Sequence, residues 1–251
     1  MLVDYLVRGA KAGVVAGLAF GLFVAVVANP LVGVAETFEH DGHTAGNGDH
    51  HDAAGATSAV TTGAVSVAGG VLWGLLLGVV AFGAGFYLLE PALPGPPGAR
   101  SYVLAAGGFV TVSGAPWLVL PPSAPGIEAT LATPTRLAIY ATMMVVGALA
   151  CTLAVVAYRR GRDARGRRGG GLAAAVPLLA LASVGVLAPV PAGESAIPDA
   201  LATSIVGVVA FGQVLLWTTL AATNTYLDAT GDRSNGPSVE DDTPDPRVTA
   251  D

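Results

Sequence analysis

Charge is scarce in this 251-residue chain: Asp, Glu, Lys and Arg together make up 12% of it, against roughly 25% in an average soluble domain. Lysine and cysteine occur once each, at Lys11 and Cys151. A lone cysteine supplies no CxxC motif, and within an apolar run Cys151 reads as a buried filler. The chain also lacks HExxH, GxSxG and GxxxxGK[ST], which removes zincin, serine-hydrolase and P-loop ATPase chemistry. No Ser/His/Asp set exists outside one short loop, so the sequence predicts a protein that is not an enzyme.

What fills the chain instead is apolar. Hydrophobic residues are 53% and the mean hydropathy is +0.63. Six windows, 12–34, 64–88, 102–120, 137–158, 172–190 and 200–222, contain no Asp, Glu, Lys, Arg or His. About 20 helical residues cross a hydrocarbon core. The expected fold is therefore all-α: a polytopic membrane helix bundle of six transmembrane helices over residues 1–225, multi-pass in the cell membrane and bathed in lipid.

The connections set an expected orientation. Eleven of the twelve basic residues fall on one side of a six-span arrangement, with Arg136 the exception. By the positive-inside rule that side is cytoplasmic, as are the N- and C-termini. The run GRDARGRRGGG between the fourth and fifth spans is then a topological signal, and no nucleic acid partner is needed to explain it. Segments 35–63, 121–136 and 191–199 face outward with eight acidic residues and one basic, which concentrates cations. Gly33-Val34-Ala35 offers a signal-cleavage pattern, but the apolar run is longer than a signal core and the first span is expected to be retained. Residues 226–251 are polar and acidic, as expected of a disordered cytoplasmic tail. One lysine and a sequence pI near 5.1 suggest a high-salt habitat, that of a halophilic archaeon.

Small residues and prolines pattern the spans. Gly9, Gly13, Gly17 and Gly21 repeat at every fourth position, as do Gly70, Gly74 and Gly78, so each set lines one helix face and admits a close neighbour. Asn29-Pro30, Ser113–Pro116 and Pro177 interrupt spans. Unwound backbone at such points coordinates ions in many transporters. Asn29, Ser113, Pro116 and Gln213 are the candidate translocation path, with Thr142, Met143 and Met144 as further polar or soft groups. The six windows hold no carboxylate, which argues against a proton antiporter built on one.

The histidines are the most unevenly placed residues. All four, His40, His43, His50 and His51, lie within twelve positions, among Glu36, Glu39, Asp41, Asp49 and Asp52. Imidazole with carboxylate suits borderline divalent transition metals better than Ca²⁺ or Mg²⁺. If the first helix continues past Ala35, then Glu36, Glu39, His40 and His43 stand at i, i+3, i+4 and i+7, on one face. His50 and His51, in a glycine-rich stretch of the 36–63 loop, read as a looser auxiliary binder.

The segment Ala35-Glu36-Thr37-Phe38-Glu39-His40, the run Gly114-Ala115-Pro116-Trp117 leading to Pro121-Pro122, and the closing helix Phe211-Gly212-Gln213-Val214-Leu215-Leu216-Trp217 together resemble the cobalt transporter subunit CbtA family over residues 1–225. The resemblance implies Co²⁺ uptake connected with cobalamin metabolism, beside a small one-span, His-bearing partner subunit. The outer Glu/His site would then capture the ion and the helix bundle would pass it inward. Two alternatives stay open from the residues: a membrane metal-sensing or scaffold subunit with no flux of its own, and a transporter of Ni²⁺ or Zn²⁺.

Overall fold

The computed structural model describes residues 1–41, 52–122, 131–187 and 198–234; the elements it contains among them are all helical. Helix α1 (Leu2–Phe23) passes through a π turn, Val24–Ala28, into α2 (Asn29–Asp41). Helix α3 (Asp52–Leu77) continues through a π segment, Gly78–Gly85, into α4 (Phe86–Leu89) and a 3₁₀ turn, Glu90–Ala92. Helix α5 (Pro97–Phe109), a π turn at Val110–Gly114 and α6 (Ala115–Trp117) form the next rod. Two long helices follow, α7 (Thr133–Leu187) and α8 (Asp199–Ser234).

Four helical stretches are long and apolar enough to cross a membrane: Leu2–Thr37, Ser58–Ala92, Thr133–Leu187 and Asp199–Thr230. The third is folded in two. Arg165 and Gly166 leave helical geometry, with Gly166 at φ 71°, a left-handed conformation that glycine adopts without a Cβ penalty. Beyond it the chain returns along itself, so that a Cβ on Gly161 would lie 2.9 Å from Ala173 Cβ.

The glycine repeats meet as expected. A Cβ on Gly17 would sit 2.5 Å from the Gly70 carbonyl oxygen, and one on Gly21 would sit 2.7 Å from Val67 Cα; Gly9 and Gly13 face Gly78 and Gly74 in the same way. As the numbers rise on α1 they fall on α3, so the two helices run antiparallel with backbones touching. Such contact brings Cα–H groups onto facing carbonyls. Around this seam lies the main core, formed by Ala12, Ala16, Phe82, Phe86, Leu104, Leu216 and Leu220. A second core joins Ala115, Met143, Ala150 and Leu181. Large aliphatic residues such as Leu72, Leu149 and Leu179 point outward, so many bulky apolar side chains lie on the outer surface while glycine and alanine line the α1–α3 seam. That distribution matches a lipid solvent, from which there is no hydrophobic gain in withdrawing leucine.

The interruptions in α1–α2 and α5–α6 share a cause. A proline ring collides with the carbonyl four residues earlier, and the chain widens ahead of both Pro30 and Pro116. Asn29 N–H reaches back five residues to Val24 O, and Ala115 N–H to Val110 O. At Pro116 the carbonyl left without its backbone donor belongs to Val112, and the Tyr140 hydroxyl donates to it.

Helix α8 continues to Ser234, beyond the expected start of the tail at 226, and Asp228 on it is ion-paired with Arg8. Residues 235–251 lie outside the described residues.

Candidate functional site

The helix carrying the AETFEH segment is continuous to Asp41. Glu36, Glu39 and His40 therefore occupy successive positions of one helix face, as the spacing predicted. Glu36 and Thr37 are exposed, and Thr37 Oγ1 donates to Val34 O at 2.7 Å. Just beneath, Ala35 is fully buried against Ile205 of α8 and, through Leu31, near Leu201. This contact fixes the helix end on which Glu36 stands. His43, His50 and His51 lie outside the described residues, as do the side chains of Glu39 and His40. Among the described residues, no group of three or more His, Cys, Asp or Glu converges.

Below that end the predicted polar residues find partners. Asn29 Nδ2 donates to Ser66 Oγ at 2.8 Å, joining α2 to α3. Ser113, nearly fully buried, gives its hydroxyl to Gln213 Oε1 at 3.3 Å, joining the π turn before α6 to α8. The structure thus brings Ser113 and Gln213 together, with Pro116 buried one turn further along. Asn29 belongs to a separate pair. Because seven residues separate Glu36 from Asn29, the latter lies about 10 Å further along the helix at 1.5 Å per residue.

Thr142 does not join this set. It is exposed on α7 and its Oγ1 bonds Ala138 O of its own helix at 2.8 Å, so helical phase turns it away from the interior. Met143 is buried while its neighbour Met144 is not, as adjacent helical positions require. Cys151 lies half-buried, with Sγ 3.7 Å from Gly107 O.

A family model described as "Probable cobalt transporter subunit (CbtA)" matches residues 2–228. This chain belongs to the CbtA family. The match includes every described leg and the whole of the histidine-bearing stretch, and the family is one of transporter subunits and not of enzymes. A subunit works with others, and cobalt is the ion that the family description names. No curated protein and no solved structure matches the chain.

Several polar residues were not singled out from sequence. Ser66 and Tyr140 are ordinary in composition and gain meaning only from the carbonyl or amide they meet. Asn224, fully buried, sits two residues beyond the last charge-free window. Its signal was present all the same: Gln213 and Asn224 are eleven residues apart, three helical turns, on one face of an apolar helix.

Proposed function

We propose that this CbtA chain is the membrane subunit of a cobalt uptake system that captures Co²⁺ on its outer face and passes it through a bundle of six spans. The fold-back of α7 at Arg165–Gly166 supports dividing that helix into two spans, and α5–α6, 21 residues from Pro97 to Trp117, supplies another. The legs then alternate in direction. The arginine-rich turn, the N-terminus and the last turns of α8 lie at one end, cytoplasmic by charge, and Glu36 lies at the other.

The observation that carries the reading is the register of Glu36, Glu39 and His40 on a helix that continues inward to Asn29. Two carboxylates and an imidazole on one face, joined by His43, exchange the waters of an incoming Co²⁺ for protein ligands. His50 and His51 raise the local supply of metal. The ion then descends past Asn29 and Ser66 to Ser113 and Gln213, beside the π turn that Pro116 imposes. Carbonyl and amide oxygens hold Co²⁺ more weakly than imidazole does, which favours onward movement. A small one-span, His-bearing partner in the cell membrane completes the capture surface.

The test is cellular accumulation of Co²⁺, Ni²⁺ and Zn²⁺ by wild type and by the combined Glu36→Ala, Glu39→Ala, His40→Ala and His43→Ala variant, with and without the partner subunit. Loss of cobalt accumulation in the variant is expected. Unchanged uptake at limiting Co²⁺ refutes the capture site.

A further inference from the structure

Two of the long helices run side by side toward the same end of the bundle. Residue numbers rise along the α5–α6 rod as they fall on α8: Asn224 Nδ2 donates to Ser101 Oγ at 3.0 Å, and Ser113 meets Gln213 further along. The first arm of α7 opposes the same rod, because the Tyr140 hydroxyl donates to Val112 O and Cys151 Sγ lies 3.7 Å from Gly107 O. Helix α8 and the arm of α7 before Arg165 are therefore both antiparallel to the rod and parallel to one another. At 8–10 Å between packed axes, about 20 Å at most separates them.

A chain of side-chain contacts brings the two to one level. Arg8 is ion-paired with Asp228 of α8, and its guanidinium lies 4.7 Å from the Tyr5 ring centroid. The Tyr5 hydroxyl donates to Glu90 at 2.5 Å, and Arg159 of α7 donates to the carbonyl of the next residue, Pro91, at 2.8 Å. Beyond this level α8 continues six residues to Ser234 and α7 six residues to Arg165, a rise of about 9 Å in each case. The tip of α7 carries Arg159, Arg160, Arg162, Arg165, Arg167 and Arg168 against Asp163 alone. All six arginines are exposed and, among the described residues, none is in an ion pair. Ala164 is the one apolar side chain between 159 and 171, too little to seat the turn in a lipid surface.

The residues that follow α8 have the opposite charge. From 235 to 251 they include Glu240, Asp241, Asp242, Asp245 and Asp251 against Arg247 alone, and they lie beyond the family match, which ends at 228. At full extension Glu240 reaches about 20 Å from Ser234 and Asp245 about 40 Å, enough to cross from α8 to the tip of α7. We infer that residues 240–245 dock on the arginine turn, with Glu240, Asp241, Asp242 and Asp245 pairing with its exposed guanidinium groups. A short tether holds these carboxylates at an effective concentration of about a millimolar or more, and guanidinium with carboxylate forms forked, charge-assisted hydrogen bonds. An acidic partner or an anionic headgroup then reaches the arginines only by displacing the tail. The contact is independent of which ion the bundle carries.

The test is a distance measurement by double electron–electron resonance on the full chain in nanodiscs, with spin labels at Ala164→Cys and Thr243→Cys in a Cys151→Ala background. In phosphatidylcholine at low salt a distinct short-distance population is expected. Salt at about 1 M, where the screening length falls to about 3 Å, lowers that population at least about fivefold. Neutralising the tail with Glu240→Gln, Asp241→Asn, Asp242→Asn and Asp245→Asn has the same effect. Arg162→Gln, Arg165→Gln and Arg167→Gln together lower it as well, whereas lysine at the same three positions retains it. Phosphatidylglycerol discs also retain it. Identical distributions for the native and neutralised tails, or for the glutamine and lysine turns, overturn the inference, since the tail is then only tethered nearby. Loss of the population in phosphatidylglycerol overturns it in favour of a lipid headgroup as the occupant. The tail substitutions lie beyond α8, so they decide the matter even where the glutamine turn fails to insert. No metal enters the measurement, and its outcome is separate from that of the uptake test.

Discussion

Adjacent glycines of α3 offer a direct measure of how closely the first two legs are held. A Cβ on Gly70 would lie 2.5 Å from Gly21 Cα and 2.7 Å from both Gly17 O and Gly21 N, all of them backbone atoms, whereas a Cβ on Gly69 meets nothing within 4 Å. Backbone cannot rotate away as a side chain does, so Gly70→Ala forces α1 and α3 apart by the better part of an ångström. Overpacking of this kind costs about 1–3 kcal/mol. Separation also weakens the neighbouring Cα–H···O contacts at Gly13/Gly74 and Gly9/Gly78, each worth about 0.5–1 kcal/mol. Together these put the loss near 2–4 kcal/mol, which corresponds to a fall of roughly 5–15 °C in melting temperature for a protein of this size. Gly69→Ala adds the same methyl on the same helix and gains slightly in helix propensity. The assay is thermal loss of the monodisperse peak in size-exclusion chromatography of detergent-purified protein. Equal midpoints for the two variants would refute the close-contact seam.

Tyr140→Phe removes the hydroxyl that meets Val112 O and is expected to destabilise the protein by about 1–3 kcal/mol. The same change costs less in a Pro116→Ala background, where the backbone recovers its own donor, as a double-mutant cycle on melting temperature would show. Co²⁺ affinity at the outer site should be constant above about pH 7.5 and fall below about pH 6.5, because neutral imidazole is the ligand and protonation competes with metal; a titration flat between pH 7.5 and 5.5 would dismiss histidine ligation. In a Cys151→Ala background, Thr37→Cys is expected to react with an impermeant maleimide on intact cells and Arg160→Cys only after lysis. The reverse pattern overturns the orientation. Gln213→Leu, which removes the acceptor of the Ser113 hydroxyl, should reduce the maximal uptake rate several-fold with little change in the external Co²⁺ concentration for half-maximal uptake. A proportionate change in both would place Gln213 outside the path.

The apolar windows and the glycine spacing were legible because both are local: each is a count along one helix. The pairing of Gly17 with Gly70 followed once two helices carried the same repeat. The Glu36–Glu39–His40 register was equally local, and the helix runs through it as expected. What the sequence concealed was tertiary. Nothing in the neighbourhood of Tyr140 indicates that it meets the carbonyl released by a proline on another helix. Thr142 looked equivalent to Ser113 as a polar group in a span, but one faces outward and the other is buried against Gln213. The two ion pairs Arg8–Asp228 and Arg100–Glu90 were hidden more thoroughly still. A search for charge-free windows discards the residues that bound them, and Arg8, Glu90, Arg100 and Asp228 are all such residues, brought together across up to 220 positions of sequence.

The tight reversal at Arg165–Gly166 has a mechanical side. The arginines around it, Arg159, Arg160, Arg162, Arg167 and Arg168, stand on helix rather than on slack chain, and Arg159 reaches across to Pro91 O at 2.8 Å. Seven residues past the apolar stretch is about 10 Å of rise. The positive charges therefore form a braced post with fixed spacing. A headgroup layer or a partner subunit approaching this end meets a template whose pattern is already set, and pays none of the ordering entropy that a flexible basic loop would demand.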